Sequence, residues 1–129
     1  MRRFLNILYY WFPPVIWMGM IYYMSSQKSI TITENVVTDF VTFKTLHIIE
    51  YAFLFFLLYR AFQSIKHLQM PICGLSAFFI TIGYSITDEL HQLSIPTRQG
   101  RVRDVLFDIV GMLVMYVIIK KVRLIKKLL

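Results

Sequence analysis

Residues 87–111 read TDELHQLSIPTRQGRVRDVLFDIVG. This stretch holds four of the seven acidic residues of the chain and three arginines, yet it lies between apolar runs at 70–86 and 105–119. Ionisable groups so close to hydrocarbon are unfavourable unless they face a partner, the interior of a helix bundle or water. The stretch therefore predicts a polar site at the edge of a membrane.

The composition of the whole chain is that of a membrane protein. Of its 129 residues, 57% are hydrophobic and only 16% are charged, far from the balance of an ordinary soluble domain. Four apolar runs, at 5–24, 45–62, 70–86 and 105–119, approach the roughly 20 residues that a helix needs to cross a bilayer. The sequence predicts an all-α, polytopic membrane protein, a single domain over 1–129 built as a four-transmembrane-helix bundle.

The distribution of basic residues predicts the orientation of this bundle. With the amino terminus in the cytoplasm, nine of the fourteen lysines and arginines fall on the cytoplasmic side, which favours both termini there. All seven acidic residues then lie at the other end, so the polar site is expected on the extracytoplasmic side of the cell membrane. The basic residues form no stripe interleaved with aromatic residues, and no nucleic-acid partner is expected.

The second apolar run begins with a cluster of polar side chains. Lys44, His47 and Tyr51 are spaced three and four apart, which places them along one side of a helix. Glu50 follows three residues after His47, about one turn into the hydrocarbon, where a carboxylate needs a cation or a hydrogen-bond donor. We therefore predict that this end of the second helix forms part of the site.

The third run ends in a second polar cluster. Ser85, Asp88 and Gln92 recur every three or four positions, with Glu89 and His91 on neighbouring flanks. Carboxylate and imidazole groups are suitable metal ligands, but their spacing matches no metal-binding signature. The sequence accordingly predicts neither a metal nor a cofactor.

Three arginines, Arg98, Arg101 and Arg103, follow on the outer side, against the topological rule. Arginine pairs with carboxylates and phosphates in a bidentate manner. One interpretation is internal: the arginines neutralise acidic residues across the bundle, at positions 50, 88 and 108. The other is external: together with Lys44 they bind an anionic lipid headgroup, a polyprenyl phosphate or another anionic ligand.

The fourth run begins with two further carboxylates. Asp104 directly precedes the apolar residues, which is the position of a helix N-cap. Asp108 lies one turn deeper and needs a partner, most simply one of the arginines. Gly111 follows on this helix and predicts that a neighbouring backbone comes close there.

Four ordered motifs resemble the VanZ-like family of small bacterial membrane proteins. They are SSQ at 25–27, K-x-x-H-x-x-E-Y at 44–51, D-E-x-x-Q-x-x-x-P-x-R at 88–98, and R-x-x-D at 101–104 followed by Gly111. The resemblance implies association with the bacterial cell envelope and, from the founding member, low-level resistance to the glycopeptide teicoplanin. With the first helix included, the expected site-building residues are Ser25, Gln27, Tyr51, Glu89, His91, Gln92, Asp104 and Asp108.

Two functional hypotheses follow from these observations. In the first, the protein is not an enzyme, and its outer pocket binds an anionic lipid, a lipid-linked cell-wall precursor or a lipoglycopeptide. In the second, it modifies a lipid or polyprenyl-linked substrate, with His47, Glu50 and Asp88 as acid–base groups. The sequence does not decide between them, and membrane lipids are the expected surroundings in both.

Overall fold

The computed structural model describes residues 2–27, 36–65, 68–96, 98 and 100–122, and this part of the chain forms four helices without a strand. The helices are α1 (Arg2–Ser25), α2 (Val36–Gln63), α3 (Met70–Gln92) and α4 (Val102–Lys121). The predicted all-α class is confirmed. Five of the basic residues that set the predicted orientation lie outside the described residues: Lys28, Lys66, Arg123, Lys126 and Lys127.

The helix limits differ from the predicted spans at the polar ends. The second helix begins at Val36 rather than at 45, and the third continues to Gln92 rather than ending at 86. Pro71 lies in the first turn of α3, where its missing amide hydrogen is not needed. The polar residues assigned to membrane edges are therefore held on regular helix rather than in loops.

α2 is the central helix of the bundle. It packs on each of the other three, most extensively on α4, whereas α1 and α4 do not touch within the described residues. Its buried face contributes Tyr51, Leu54, Phe55 and Leu58 to a core that also includes Met112 of α4. Each remaining helix is therefore positioned chiefly by its contact with α2.

The contact between α2 and α4 depends on a glycine. Gly111 is buried, and a Cβ atom there would run into the backbone carbonyl of Ile48 on α2. The predicted close approach at Gly111 is thus present, and α2 is the neighbour. Because no side chain separates the two backbones here, the helices lie close enough for the polar residues of the preceding turns to meet.

α1 is held to the bundle by two cross-helix hydrogen bonds. The indole nitrogen of Trp17 donates to the backbone oxygen of Glu50 at 3.0 Å, and the hydroxyl of Tyr84 donates to the backbone oxygen of Met18 at 2.5 Å. These bonds fix α1 against α2 and α3 below its carboxyl end. The end of α1 therefore forms a wall beside the polar residues of both helices.

Within the described residues, two helices have the length and hydropathy of membrane spans, over Phe40–Gln63 and Met70–Gln92. Within their apolar windows only 33% and 28% is buried, so most of this apolar surface faces outward, unlike the core helix of a soluble protein. In the described part of α1, two prolines, four tyrosines and two tryptophans lower the mean hydropathy below that of a membrane span. α4 carries charges at both ends and Asp108 between them.

Polarity in the described bundle is arranged with apolar groups outside and polar groups inside. Large apolar side chains such as Phe79 and Tyr23 are each 67% exposed, whereas Asp108 is 0% exposed. A surface of this kind is unfavourable in water and favourable in hydrocarbon. The buried polar residues are Ser25, Thr81, Ser85, Asp88, Glu89, Gln92, Asp104 and Asp108.

Candidate functional site

The buried polar residues gather at one end of the bundle. Contacts between α2 and α4 advance together along both helices, from Lys44 with Asp104 to His47 with Asp108, so these helices run parallel. The carboxyl ends of α1 and α3 reach the same level. Each helix thus brings one polar end to a shared site.

Asp104 does not have the role predicted for it. α4 begins at Val102 with Arg101 as its N-cap, and no side chain caps its first turn. The Asp104 carboxylate, 4% exposed, instead forms an ion pair with Lys44 of α2. The N-cap prediction was wrong because the helix starts earlier, which turns Asp104 toward α2 and away from its own backbone. Lys44, predicted to bind an external anion, therefore has an internal partner.

Asp108 of α4 connects His47 of α2 to Ser85 of α3. The nearer oxygen of Asp108 lies 3.6 Å from Nδ1 of His47, and its other oxygen accepts a hydrogen bond of 2.5 Å from the Ser85 hydroxyl. The ring of Tyr51 lies parallel to the imidazole, with centroids 6.2 Å apart. Asp108 was predicted to pair with an arginine but instead contacts a histidine and a serine. Ser85 belongs to the site because it lies on the same face of α3 as Asp88 and Gln92.

Asp88 and Glu89 point into the bundle from the end of α3. Asp88 accepts a hydrogen bond from the Gln92 amide at 3.0 Å, and Glu89 accepts one from the backbone amide of Arg101 at 2.8 Å. The two carboxylates are 4% and 6% exposed. One ligand atom from each, together with a ring nitrogen of His47, lies within 4.8 Å of the other two. Acid–base and metal-ligating groups are therefore concentrated at one point.

Gly100 contributes to the site, and this was not predicted from the sequence. A Cβ atom at this position would collide with the backbone oxygen of Glu89. The absent side chain lets the loop approach α3 closely enough for the next amide, that of Arg101, to reach the Glu89 carboxylate. A lone glycine between two arginines was the signal available in the sequence.

Arg98 has a role that neither interpretation of the arginines included. Its Nε donates to the backbone oxygen of Gln27 and its Nη2 to that of Met24, both at 3.0 Å. A guanidinium at these carbonyls satisfies free acceptors at the end of α1 and complements its dipole. The internal ion pair of Arg98 with a carboxylate is not formed among the described residues.

The other two arginines lie at the margin of the site. Both are exposed, and the Arg103 guanidinium sits 5.4 Å from the centroid of the Phe40 ring. The backbone of Arg101, rather than its side chain, holds Glu89 in place. The side chains of these two arginines therefore lie outside the acidic interior.

His91 belongs to the contact between α1 and α3. Its Nε2 lies 3.0 Å from the hydroxyl of Ser26, and its ring is tilted against Tyr22 with centroids 4.6 Å apart. The neighbouring Ser25 hydroxyl is buried and has no hydrogen-bond partner. His91 thus supports the wall formed by α1, apart from the acidic cluster of His47.

A cavity of about 290 Å³ opens between α1, α2 and α3, close to the lower limit of typical ligand pockets. Part of its lining is apolar. This part was not predicted from the sequence, because its residues resemble those at any other position of a membrane span. The apolar residues are Ile21, Met24, Phe43 and Leu46. The polar residues are Ser25, Gln27, His47, Glu50, Asp88, Gln92 and Arg98.

Comparison with known proteins identifies the family. A family model described as VanZ/LLP1 matches residues 10–126, which is nearly the whole chain and includes α2, α3, α4 and most of α1. Searches of the curated proteins and of the solved structures found no match. The apolar helices α2 and α3, together with this match, indicate a membrane protein. The resemblance read from the ordered motifs is confirmed, and the chain belongs to the VanZ/LLP1 family.

Proposed function

We propose that this protein spans the cell membrane four times, with both termini in the cytoplasm, and binds the polar head of an envelope amphiphile in its outer pocket. The observation that carries the proposal is the two-sided lining of the cavity between α1, α2 and α3. Apolar side chains such as Phe43 and Leu46 line one part, and Glu50, Asp88 and Arg98 line another. This pairing suits a molecule with a hydrocarbon tail and a hydrogen-bonding head.

The charges of the lining narrow the class of head group. Glu50 and Asp88 offer acceptors for hydroxyl or amino groups, while Arg98 offers a cation beside them. A lipid-linked cell-wall precursor, an anionic lipid or a lipoglycopeptide supplies both kinds of group. Retention of such a molecule at the membrane accounts for a contribution to teicoplanin-type resistance, which is the effect proposed here for the intact cell.

Filling the pocket should weaken binding without altering its charges. For Leu46→Trp, whose larger ring occupies the apolar part of the cavity, we expect at least about a tenfold loss of affinity. The measurement is binding of a lipid-linked precursor to protein purified in detergent, with teicoplanin susceptibility of expressing cells as a second readout. Phe79→Trp, a matched change on the outward face of α3, is the control and should bind normally.

Equal binding by wild type and Leu46→Trp would contradict the proposed pocket.

A second candidate function is favoured by the closeness of His47, Asp88 and Glu89, which places acid–base groups beside the cavity. The same incubation distinguishes them, because an enzyme changes the mass of the lipid-linked substrate and a binder returns it unaltered. Under the enzymatic candidate, His47→Gln retains binding and abolishes the mass change.

The proposed orientation predicts which positions impermeant reagents reach. In a Cys73→Ser background, Ser94→Cys should react with a membrane-impermeant maleimide in intact cells, because Ser94 is exposed at the end that carries the site. Lys120→Cys, exposed at the opposite end, should react only after permeabilisation. The reverse labelling pattern would show that the site faces the cytoplasm.

A further inference from the structure

We propose that His47, Asp88 and Glu89 bind one divalent transition-metal ion, with Asp108 supporting the histidine. The proposal stands independently of the amphiphile pocket, because its test detects the metal directly. It also reverses the expectation from the sequence, where adjacent acidic residues on α3 and a histidine on α2 gave no recognisable ligand spacing. In the folded chain, α2 and α3 bring these ligand atoms together, although the residues form no ligand motif along one helix.

The geometry of the three side chains fits a metal. Their ligand atoms lie within 4.8 Å of one another, compared with roughly 3.5 Å between neighbouring ligands in a tetrahedral zinc site. Small rotations of the side chains therefore complete the coordination. His47 and Asp88 also line the cavity, which gives an ion a route to the cluster.

The hydrogen bonds of the carboxylates give the strongest support for the metal site. Asp88, Glu89 and Asp108 each have one oxygen fixed by a donor: the Gln92 amide, the Arg101 backbone amide and the Ser85 hydroxyl, respectively. Among the described residues, the second oxygens of Asp88 and Glu89 are buried without a hydrogen-bond partner, whereas that of Asp108 faces Nδ1 of His47 at 3.6 Å. Metal-binding carboxylates are commonly held in this way, with one oxygen oriented by an outer donor and the other directed at the ion.

The negative charge of the buried carboxylates also favours a bound cation. Asp88, Glu89 and Asp108 are nine-tenths or more buried, and in the described part of the chain none forms an ion pair with a lysine or arginine. Lys44 is already paired with Asp104, and Arg98 bonds backbone oxygens of α1. Buried carboxylates without compensation are strongly unfavourable, and a doubly charged ion reduces this penalty.

The ligand set favours Zn²⁺ or Mn²⁺ over Ca²⁺ and Mg²⁺. Imidazole suits transition metals, whereas Ca²⁺ and Mg²⁺ prefer oxygen ligands alone. The carboxylate of Asp108, 3.6 Å from Nδ1 of His47, is placed to orient the imidazole, as acidic residues do beside metal-bound histidines. The cluster thus combines primary ligands with the outer groups that tune them.

The test uses the full chain, purified in detergent and stripped with a chelator. Titration with Zn²⁺ and with Mn²⁺, followed calorimetrically and by elemental analysis after desalting, should give one ion per chain. His47→Gln and Asp88→Asn should each lower affinity at least about tenfold, because each removes a ligand. The control is His91→Gln, since His91 is bonded to Ser26 outside the cluster, and it should bind as wild type does.

Thermal unfolding separates loss of a ligand from loss of the fold. Added metal should raise the unfolding midpoint of the wild type and of His91→Gln, because an ion that binds only the folded chain stabilises it. Asp88→Asn can still accept the Gln92 hydrogen bond through its amide oxygen, so it should fold and show no metal-dependent rise. Failure of the wild type to retain metal, or equal losses in His91→Gln and His47→Gln, would overturn the proposal.

Discussion

Gly111→Ala is expected to destabilise the protein by about 3 kcal/mol, an unusually large effect for the addition of one methyl group. The added Cβ meets the backbone of Ile48 rather than a side chain that could rotate away. α4 must therefore move off α2, which carries Asp108 away from His47 and Asp104 away from Lys44. Loss of stability and loss of the site should accordingly occur together.

The measurement is the midpoint of thermal unfolding in detergent micelles, combined with metal binding. Gly83→Ala on α3 is the matched control, because a Cβ there meets nothing within 4 Å, and its midpoint should equal or slightly exceed that of the wild type, since alanine favours a helix more than glycine does. If Gly111→Ala unfolds at the same temperature as Gly83→Ala, the close packing of α2 on α4 is incorrect.

Lys44→Met should have the second large effect, a destabilisation of about 3 kcal/mol. Methionine preserves much of the length and apolar surface of the lysine stem but removes the charge that compensates the Asp104 carboxylate. In the ion pair the side chains are 15% and 6% exposed, so solvent cannot replace the lost partner effectively. The remaining acid is then buried beside the other carboxylates of the site.

Neutralising the remaining acid should reverse most of this loss. The double variant Lys44→Met/Asp104→Asn should be more stable than Lys44→Met alone, since no unpaired charge is left inside. Unfolding midpoints of the wild type, both single variants and the double variant complete a mutant cycle that isolates the pairwise energy. Simple additivity of the two single changes would show that the pair contributes nothing.

Much of the site's general position could be predicted from the sequence. Alternating apolar runs place the start of the second helix, the end of the third and the start of the fourth at one level, so Glu50, Asp88 and Asp108 were expected near each other. Spacing along α3 predicted a shared face for Ser85, Asp88 and Gln92, and all three are buried. Periodicity within one helix was sufficient for these inferences.

The partners within the site could not be predicted in the same way. Whether Asp104 faces Lys44 or its own helix end depends on where α4 begins and how it is rotated against α2, and neither is encoded in spacing along one segment. Arg98 was expected to pair with carboxylates of the bundle or with an external anion, but it contacts the carbonyls that end α1. Tertiary geometry, rather than the chemistry of single residues, decided both outcomes.

The central place of α2 has a consequence for biogenesis. α4 alone is poorly suited to leave the translocon for lipid, because a charged residue such as Asp108 opposes insertion by about 2.5–3.5 kcal/mol at mid-helix. α2, which presents His47 and Lys44, and α3, which presents Ser85, follow α1 and are both synthesised before α4. In the proposed four-span arrangement, the earlier helices act as an insertion template for the last one, so the order of the helices along the chain helps the acidic interior to enter the membrane.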